Sequence, residues 1–208
     1  AVLTGPVKKL GRKCDWTVFD QIVLDPDLIA SVPTDQWFYT GMDTYIHSVE
    51  AITGTKKNTF AEAYSEKSLE MCREVFMRMD RKDVKSDEFL MVASYMGGLS
   101  LTYSEVGVCH ALSYGLGKVL EIHHCIANCI AFDKLEDVYG DYVQEFKGMV
   151  AHNKVHIPQG LAKDWSEETI SAMAEVAYNL PHMWDHAFGP DWQQVLDRER
   201  IKGWYRRM

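Results

Sequence analysis

The sequence predicts an all-α fold, a helical bundle preceded by a short extended N-terminal segment. Three observations carry that reading. Apolar side chains between positions 59 and 79 recur at roughly helical spacing. The stretch between Glu88 and Glu105 carries no charge and is rich in small residues, as a helix packed closely against neighbours would be. Alternation with β-rich composition is confined to one stretch, Trp16 to Pro26.

The elements follow in order. Asp25-Pro26 and Val32-Pro33-Thr34 read as turns, and Thr34 or Asp35 is a suitable cap for a helix from about Asp35 to Ala51. Thr53-Gly54-Thr55 ends it, and Thr59-Phe60-Ala61-Glu62 resembles a capping box opening a helix to Met79. Ala63, Leu69, Cys72, Val75, Phe76 and Met79 form its apolar face, which makes it a surface helix. The segment from Ser86 to Leu120 reads as the centre of the domain: Ala93, Ser94, Gly97, Gly98 and Ser100 allow close approach, and glycine inside a helix, at about 1 kcal/mol against alanine, needs such an offset. After Lys118 a short break leads to another apolar helix, with Cys125 and Cys129 one turn apart. From Tyr139 onward the chain is more polar, with helix limits at Pro158-Gln159-Gly160 and Ser166-Glu167-Glu168. No internal repeat or low-complexity linker divides residues 1–208, so one domain is expected.

Composition narrows the function classes. A net charge of −8, with 22 Lys and Arg dispersed along the chain, argues against a nucleic-acid partner. Five cysteines, Cys14, Cys72, Cys109, Cys125 and Cys129, suit reduced thiols in a cytoplasm better than a disulfide framework. No uninterrupted apolar run of about 18 residues and no leader-like start is present, so a membrane partner is not expected and a soluble, cytoplasmic protein is.

Asp43 and His47 stand at i and i+4, on one helix face, able to hold one ion together. Chance alone gives about 0.6 such pairs in a chain of this composition, so the pair by itself reads equally as a cap or salt bridge beside a core histidine. His110 and His124 also lie in apolar surroundings, where an unpartnered imidazole costs ~1–3 kcal/mol. One carboxylate with three imidazoles suits a divalent transition metal, Fe2+ or Zn2+, better than Mg2+ or Ca2+. His152 with His156 and His182 with His186 share the spacing but sit in polar stretches beside Pro158 and Pro181, and read as surface histidines. Cys109, Cys125 and Cys129 read as small buried hydrophobes, and Trp184, Trp192, Trp204 and Tyr205 as packing for a terminal helix.

The runs LDPDLIASVPTDQWFYTGMDTYIHSVEAITG and GVCHALSYGLGKVLEIHHCIANCIAF resemble the two signatures of the iron-containing (group III) alcohol dehydrogenases: Gly-x-Asp-x-x-x-His-x-x-Glu, then Gly-x-x-His and, after thirteen intervening residues, a second His. That resemblance implies metal ligation by Asp43, His47, His110 and His124. At the place of a second family histidine, near substrate and nicotinamide, stands Tyr114, the candidate catalytic residue; Cys125 replaces a glycine, and His123 adjoins the last ligand. The fold implied is the helical C-terminal domain of the dehydroquinate synthase-like class. No strand, Gly-rich loop and helix unit for a dinucleotide appears, and Gly115-x-Gly117 is a weak phosphate signal, so the nucleotide-binding domain is expected to lie outside this chain, with Ala1 an internal boundary of a longer protein. For that protein the resemblance implies NAD(P)-dependent oxidation of a small primary alcohol, a divalent cation activating the hydroxyl, and assembly as a homo-oligomer. Around Tyr114, Cys125 and the C-terminal segment the sequence is similar to the family branch that oxidises the C8 hydroxyl of the sugar acid Kdo; Lys118 is a candidate cation for a carboxylate but reads rather as a solvated helix residue. Glu50 reads as a surface ion-pairing residue, the alternative being a partner to the ligands. Rival classes are a non-catalytic helical interaction module and a zinc-dependent dehydroquinate-synthase-like enzyme.

Overall fold

In a computed structural model, which describes residues 2–4, 9–11, 19–80 and 83–208, ten α-helices follow a small antiparallel pair, β1 (Val2–Thr4) and β2 (Lys9–Gly11). The alternating stretch does not form a strand where it is described: Phe19 to Leu24 is irregular and exposed, and Pro26–Ile29 is a 3-10 turn capped by the half-buried Asp25. Trp16, Thr17 and Val18 lie outside the described residues. Alternation alone cannot make a strand without a partner edge to bond it.

The first helix, α1 (Thr34–Thr53), runs through the middle of the fold, burying Trp37, Phe38, Met42, Tyr45, Ile46 and Val49. Its N-cap is Pro33, with no side-chain cap, instead of the expected Thr34 or Asp35. The next helix, α2 (Thr59–Arg78), is capped by Asn58, whose Oδ1 accepts from the backbone N–H groups of Phe60 and Ala61 at 3.1 and 3.2 Å. The capping-box reading was therefore one residue late, because Thr59 already has helical geometry. Ala63 is exposed, while Leu69, Cys72, Val75 and Phe76 are buried as their spacing required.

The segment read as the centre divides in two. Helix α3 (Val84–Tyr103) packs one small-residue face, Ala93, Gly97 and Ser100, on its neighbours and leaves Val84 and Tyr103 exposed. A Cβ on Gly97 would lie 3.3 Å from Ser68 Oγ and 3.4 Å from Ser48 Oγ, so α1, α2 and α3 meet through small side chains. Helix α4 (Val108–Leu120) is the buried one, with Cys109, His110, Ala111, Leu112 and Leu116 all inside. It closes at Glu121 in the left-handed conformation (φ 57°), and after a short turn α5 (His124–Phe132) begins.

Beyond these come α6 (Glu136–Tyr139), α7 (Asp141–Asn153), α8 (Glu167–Tyr178), α9 (Pro181–Phe188) and α10 (Arg198–Tyr205). Ser166 caps α8 as the sequence indicated, its Oγ accepting from Thr169 N–H at 3.1 Å. Trp184, Trp192, Trp204 and Tyr205 are all buried and close the core, Trp184 stacking on Trp204 at 6.3 Å. Among the described residues no helix is long and apolar enough to cross a membrane.

Gly115 and Gly117 lie within α4, not in a loop, which removes the phosphate reading. A Cβ on Gly115 would sit 2.0 Å from the Tyr205 hydroxyl and 2.8 Å from the Met173 carbonyl, whereas one on Gly117 would stay 3.4 Å from the Ile122 carbonyl. Gly115→Ala is therefore expected to destabilise the chain by about 1–3 kcal/mol through overpacking. Gly117→Ala should be neutral or slightly stabilising, since alanine is the better helix former. Urea unfolding followed by circular dichroism checks both.

Candidate metal centre

Three helices bring the site together. Asp43, His47 and Glu50 lie along one face of α1, His110 and Tyr114 one turn apart on α4, and His124 and Asn128 one turn apart on α5. One donor atom each from Asp43, His110 and His124 lies within 4.8 Å of the others. Asp43 Oδ1 stands 3.4 Å from His110 Nε2 and 3.9 Å from His124 Nε2. His47 flanks this triad: its Nε2 is 3.8 Å from Asp43 Oδ1, and its ring stacks on that of His110 at 4.5 Å with 16° between planes. His123 is exposed at the start of α5, so of the adjacent pair only His124 reaches the cluster.

Glu50 is not a surface residue. It is 1 % exposed, and its carboxylate accepts from three donors. Oε1 takes the Cys109 N–H at 2.7 Å and the Tyr139 hydroxyl at 2.6 Å, and Oε2 takes His110 Nδ1 at 2.5 Å. A carboxylate can only accept, so the proton of a neutral His110 sits on Nδ1 and Nε2 turns its lone pair toward Asp43 and His124. This is the arrangement that orients and strengthens an imidazole ligand. Periodicity placed Glu50 one turn past His47, but only the packing of α4 and α6 over that turn buries it.

His186 also departs from expectation. It is fully buried, its Nε2 2.8 Å from the Glu50 carbonyl and its Nδ1 accepting from the Lys56 N–H at 3.3 Å. A Cβ on Gly54 would lie 2.1 Å from that ring, so the glycine after α1 makes room for it. Pro181 occupies the first turn of α9, where its missing N–H is harmless; it starts that helix and does not break it. His182 is exposed, as are His152 and His156, the latter two separated by the left-handed turn at Lys154.

The electrostatics follow from burial and neighbours. Burial works against charge on Asp43, yet His47, His110 and His124 hold its carboxyl well below the usual carboxylate range. Burial likewise opposes charge on His110, but Glu50 and Asp43 outweigh it and push the imidazole up to about 10 in the absence of a cation. Burial lowers His47. Tyr114 has its ring 5.7 Å from that of His124, and burial followed by Asp43 raises its hydroxyl, so it stays a hydrogen-bond donor. Cys125 is buried with Sγ 3.8 Å from Asp43 Oδ2, and burial and Asp43 push its thiol up to about 12. Cys72, Cys109, Cys125 and Cys129 are free thiols. Lys118 is exposed near the end of α4.

Against this geometry, the profile described as "Fe-containing alcohol dehydrogenase family, C-terminal" matches residues 37–182. The chain belongs to the iron-containing alcohol dehydrogenase family. Among family relatives, an NADPH-dependent butanol dehydrogenase of Clostridium saccharobutylicum is 25 % identical over 164 residues, covering 77 % of this chain and 40 % of the relative. The 1-propanol dehydrogenase PduQ of Citrobacter freundii is 31 % identical over 116 residues, 53 % of this chain and 30 % of its own. A crystal structure of an iron-containing alcohol dehydrogenase from Thermotoga maritima superposes with a TM-score of 0.71 at 18 % identity, covering 88 % of this chain and 51 % of that one, which establishes the shared fold. The chain thus spans less than half the length of the two enzymes named first.

Three outcomes test the electrostatics. A cation needs the Nε2 lone pair, so binding displaces the His110 proton; apparent Zn2+ affinity should rise about tenfold per pH unit through neutrality and level off near pH 10. In the metal-free chain the raised imidazole contributes stability that is complete below the unfolded value, about 6.5, and is lost as pH rises through about 10. Glu50→Gln removes the buried charge behind His110 and should weaken Zn2+ binding by about 10–100-fold, with an earlier plateau in the pH profile, measured by chelator competition.

Proposed function

We propose that this chain is the metal-holding part of an NAD(P)-dependent alcohol dehydrogenase that oxidises a small primary alcohol, holding Fe2+ or Zn2+ through Asp43, His47, His110 and His124. The observation that carries this is the convergence of Asp43, His110 and His124 donor atoms within 4.8 Å on a scaffold of the family. The donor set also suits the ion: one carboxylate and neutral imidazoles leave net positive charge on a divalent cation, and no thiolate competes. When bound, such a cation polarises an alcohol oxygen and lowers the cost of removing its proton.

The chain's own residues supply the rest. Glu50 fixes the ring of His110 and the face it presents. His47, stacked on His110 and kept neutral by burial, adds a fourth donor beside Asp43. Tyr114, held protonated beside His124, is the group placed to donate to a substrate oxygen and hand on a proton, where family members commonly have a histidine. The nucleotide is assigned to a part of the protein outside these residues, and assembly as a homo-oligomer belongs to the same proposal. Within primary alcohols, the C8 hydroxyl of Kdo is the narrower candidate. Its support is the sequence resemblance around Tyr114 and Cys125, with exposed Lys118 as the available cation for a carboxylate.

The chain is expected to bind one divalent ion tightly. Asp43→Ala and His124→Ala should each lower Zn2+ affinity more than about a hundredfold with the helical circular dichroism spectrum unchanged, because neither residue takes part in the Glu50 network. Metal uptake unchanged in both variants would reject the centre and favour a non-catalytic helical module. For the longer protein carrying this chain, NAD(P) reduction with 1-butanol and with Kdo separates a simple-alcohol enzyme from a sugar-acid enzyme. Tyr114→Phe should slow turnover by about 10–1000-fold with little change in metal content.

A further inference from the structure

We propose that Asn128 is a placeholder for the cation: in the metal-free protein its side-chain amide holds the donors of the centre together, and an incoming metal ion has to displace it. The inference rests on the metal-binding reading of the centre.

Asn128 lies one turn past His124 on α5 and is fully buried. Its Nδ2 donates to Asp43 Oδ1 at 2.5 Å and lies 3.2 Å from both His110 Nε2 and His124 Nε2. One nitrogen therefore faces all three candidate donor atoms at once. A cation bonded to the same three atoms at about 2.0–2.2 Å would need that space, so amide and metal exclude each other. The other end of the amide is as informative, because Asn128 Oδ1 is buried with no hydrogen-bond partner. A buried carbonyl normally finds a donor. Here the side chain leaves its own acceptor unpaired in order to turn its NH2, the positive end of the amide dipole, toward the Asp43 carboxylate, with the ring nitrogens of His110 and His124 alongside. That carboxylate is largely removed from water, where a further donor stabilises its charge. The backbone cannot readily retreat, since the Asn128 carbonyl accepts from Cys109 Sγ at 3.3 Å across to α4, so displacement must come from rotation of the side chain.

A placeholder has a signature that ordinary packing lacks. Its contacts stabilise the metal-free state alone, so deleting them should weaken that state and strengthen metal binding. A purely structural asparagine would weaken both.

The test uses the 208-residue chain stripped of metal, with N128A and N128S. Zn2+ affinity is measured by chelator competition, and melting temperature is recorded with and without Zn2+. Both variants are expected to bind Zn2+ about tenfold more tightly than the unsubstituted chain. Both should melt lower when metal-free and close to the unsubstituted chain when loaded. Unchanged or weaker binding in a folded variant overturns the proposal. Should neither variant fold, the side-chain amide signal of Asn128 in proton–nitrogen spectra of the unsubstituted chain decides: it must move on Zn2+ addition, and an unmoved signal overturns the proposal as well. If the unsubstituted chain takes up no Zn2+, the metal reading falls and this inference with it. Zn2+ uptake that depends on Asp43 and His124, without tighter binding in the Asn128 variants, removes the inference alone.

Discussion

The carboxylate of Glu50, buried between α1, α4 and α6, is the interaction on which the rest depends. An ionised carboxylate removed from water costs several kcal/mol unless each oxygen is paired. Cys109 N–H, Tyr139 O–H and His110 Nδ1 meet that requirement, and they arrive from two different helices, one of them through the backbone at the start of α4. The charge therefore locks three elements in one arrangement and sets the ring angle of His110 as a consequence. Loss of any one donor would leave the buried charge less well paired.

Small residues make that arrangement sterically attainable. A Cβ at Gly41 would be 2.3 Å from the Phe76 ring, and one at Gly107 would be 3.4 Å from Glu50 Oε1 itself. Close approach of α1 to α2 is thus written into a position with no side chain. On the far side, Tyr205 O–H donates to the Leu112 carbonyl at 2.8 Å, fastening the last helix to the one that carries His110. Arg73 and Tyr45 both bind Glu145, tying α2 and α1 to α7. These ties hold the donors on helices packed against one another.

Charge in the centre is balanced between two carboxylates and three histidines. Glu50 lies behind His110 and Asp43 in front of it, and together they favour a proton on the imidazole when no cation is present. On the proposed function, a divalent ion would replace that proton and offset the same carboxylates. The pocket is thus built for positive charge, and which positive charge occupies it depends on pH and metal supply.

Much of this was legible in the chain itself. Helical periodicity, turn residues and the uncharged central stretch indicate an all-α bundle, since local spacing alone sets which side chains share a face. Asp43, His47, His110 and His124 stand out in the chain as candidate donors, and the structure brings the donor atoms of Asp43, His110 and His124 within 4.8 Å with His47 beside Asp43. Other features could not be read there. Whether Glu50 or His186 faces water or core depends on which helix covers it, and that is a long-range fact: Glu50 meets His110 sixty positions away and His186 one hundred and thirty-six away. Asn128 is a polar residue in an otherwise apolar helix, and only α1 and α4 packed over it give it its partners. Sequence determined the faces and the chemistry available on them; tertiary packing decided which of those groups would be buried together, because desolvation and hydrogen-bond pairing are properties of the assembled space and not of the local chain.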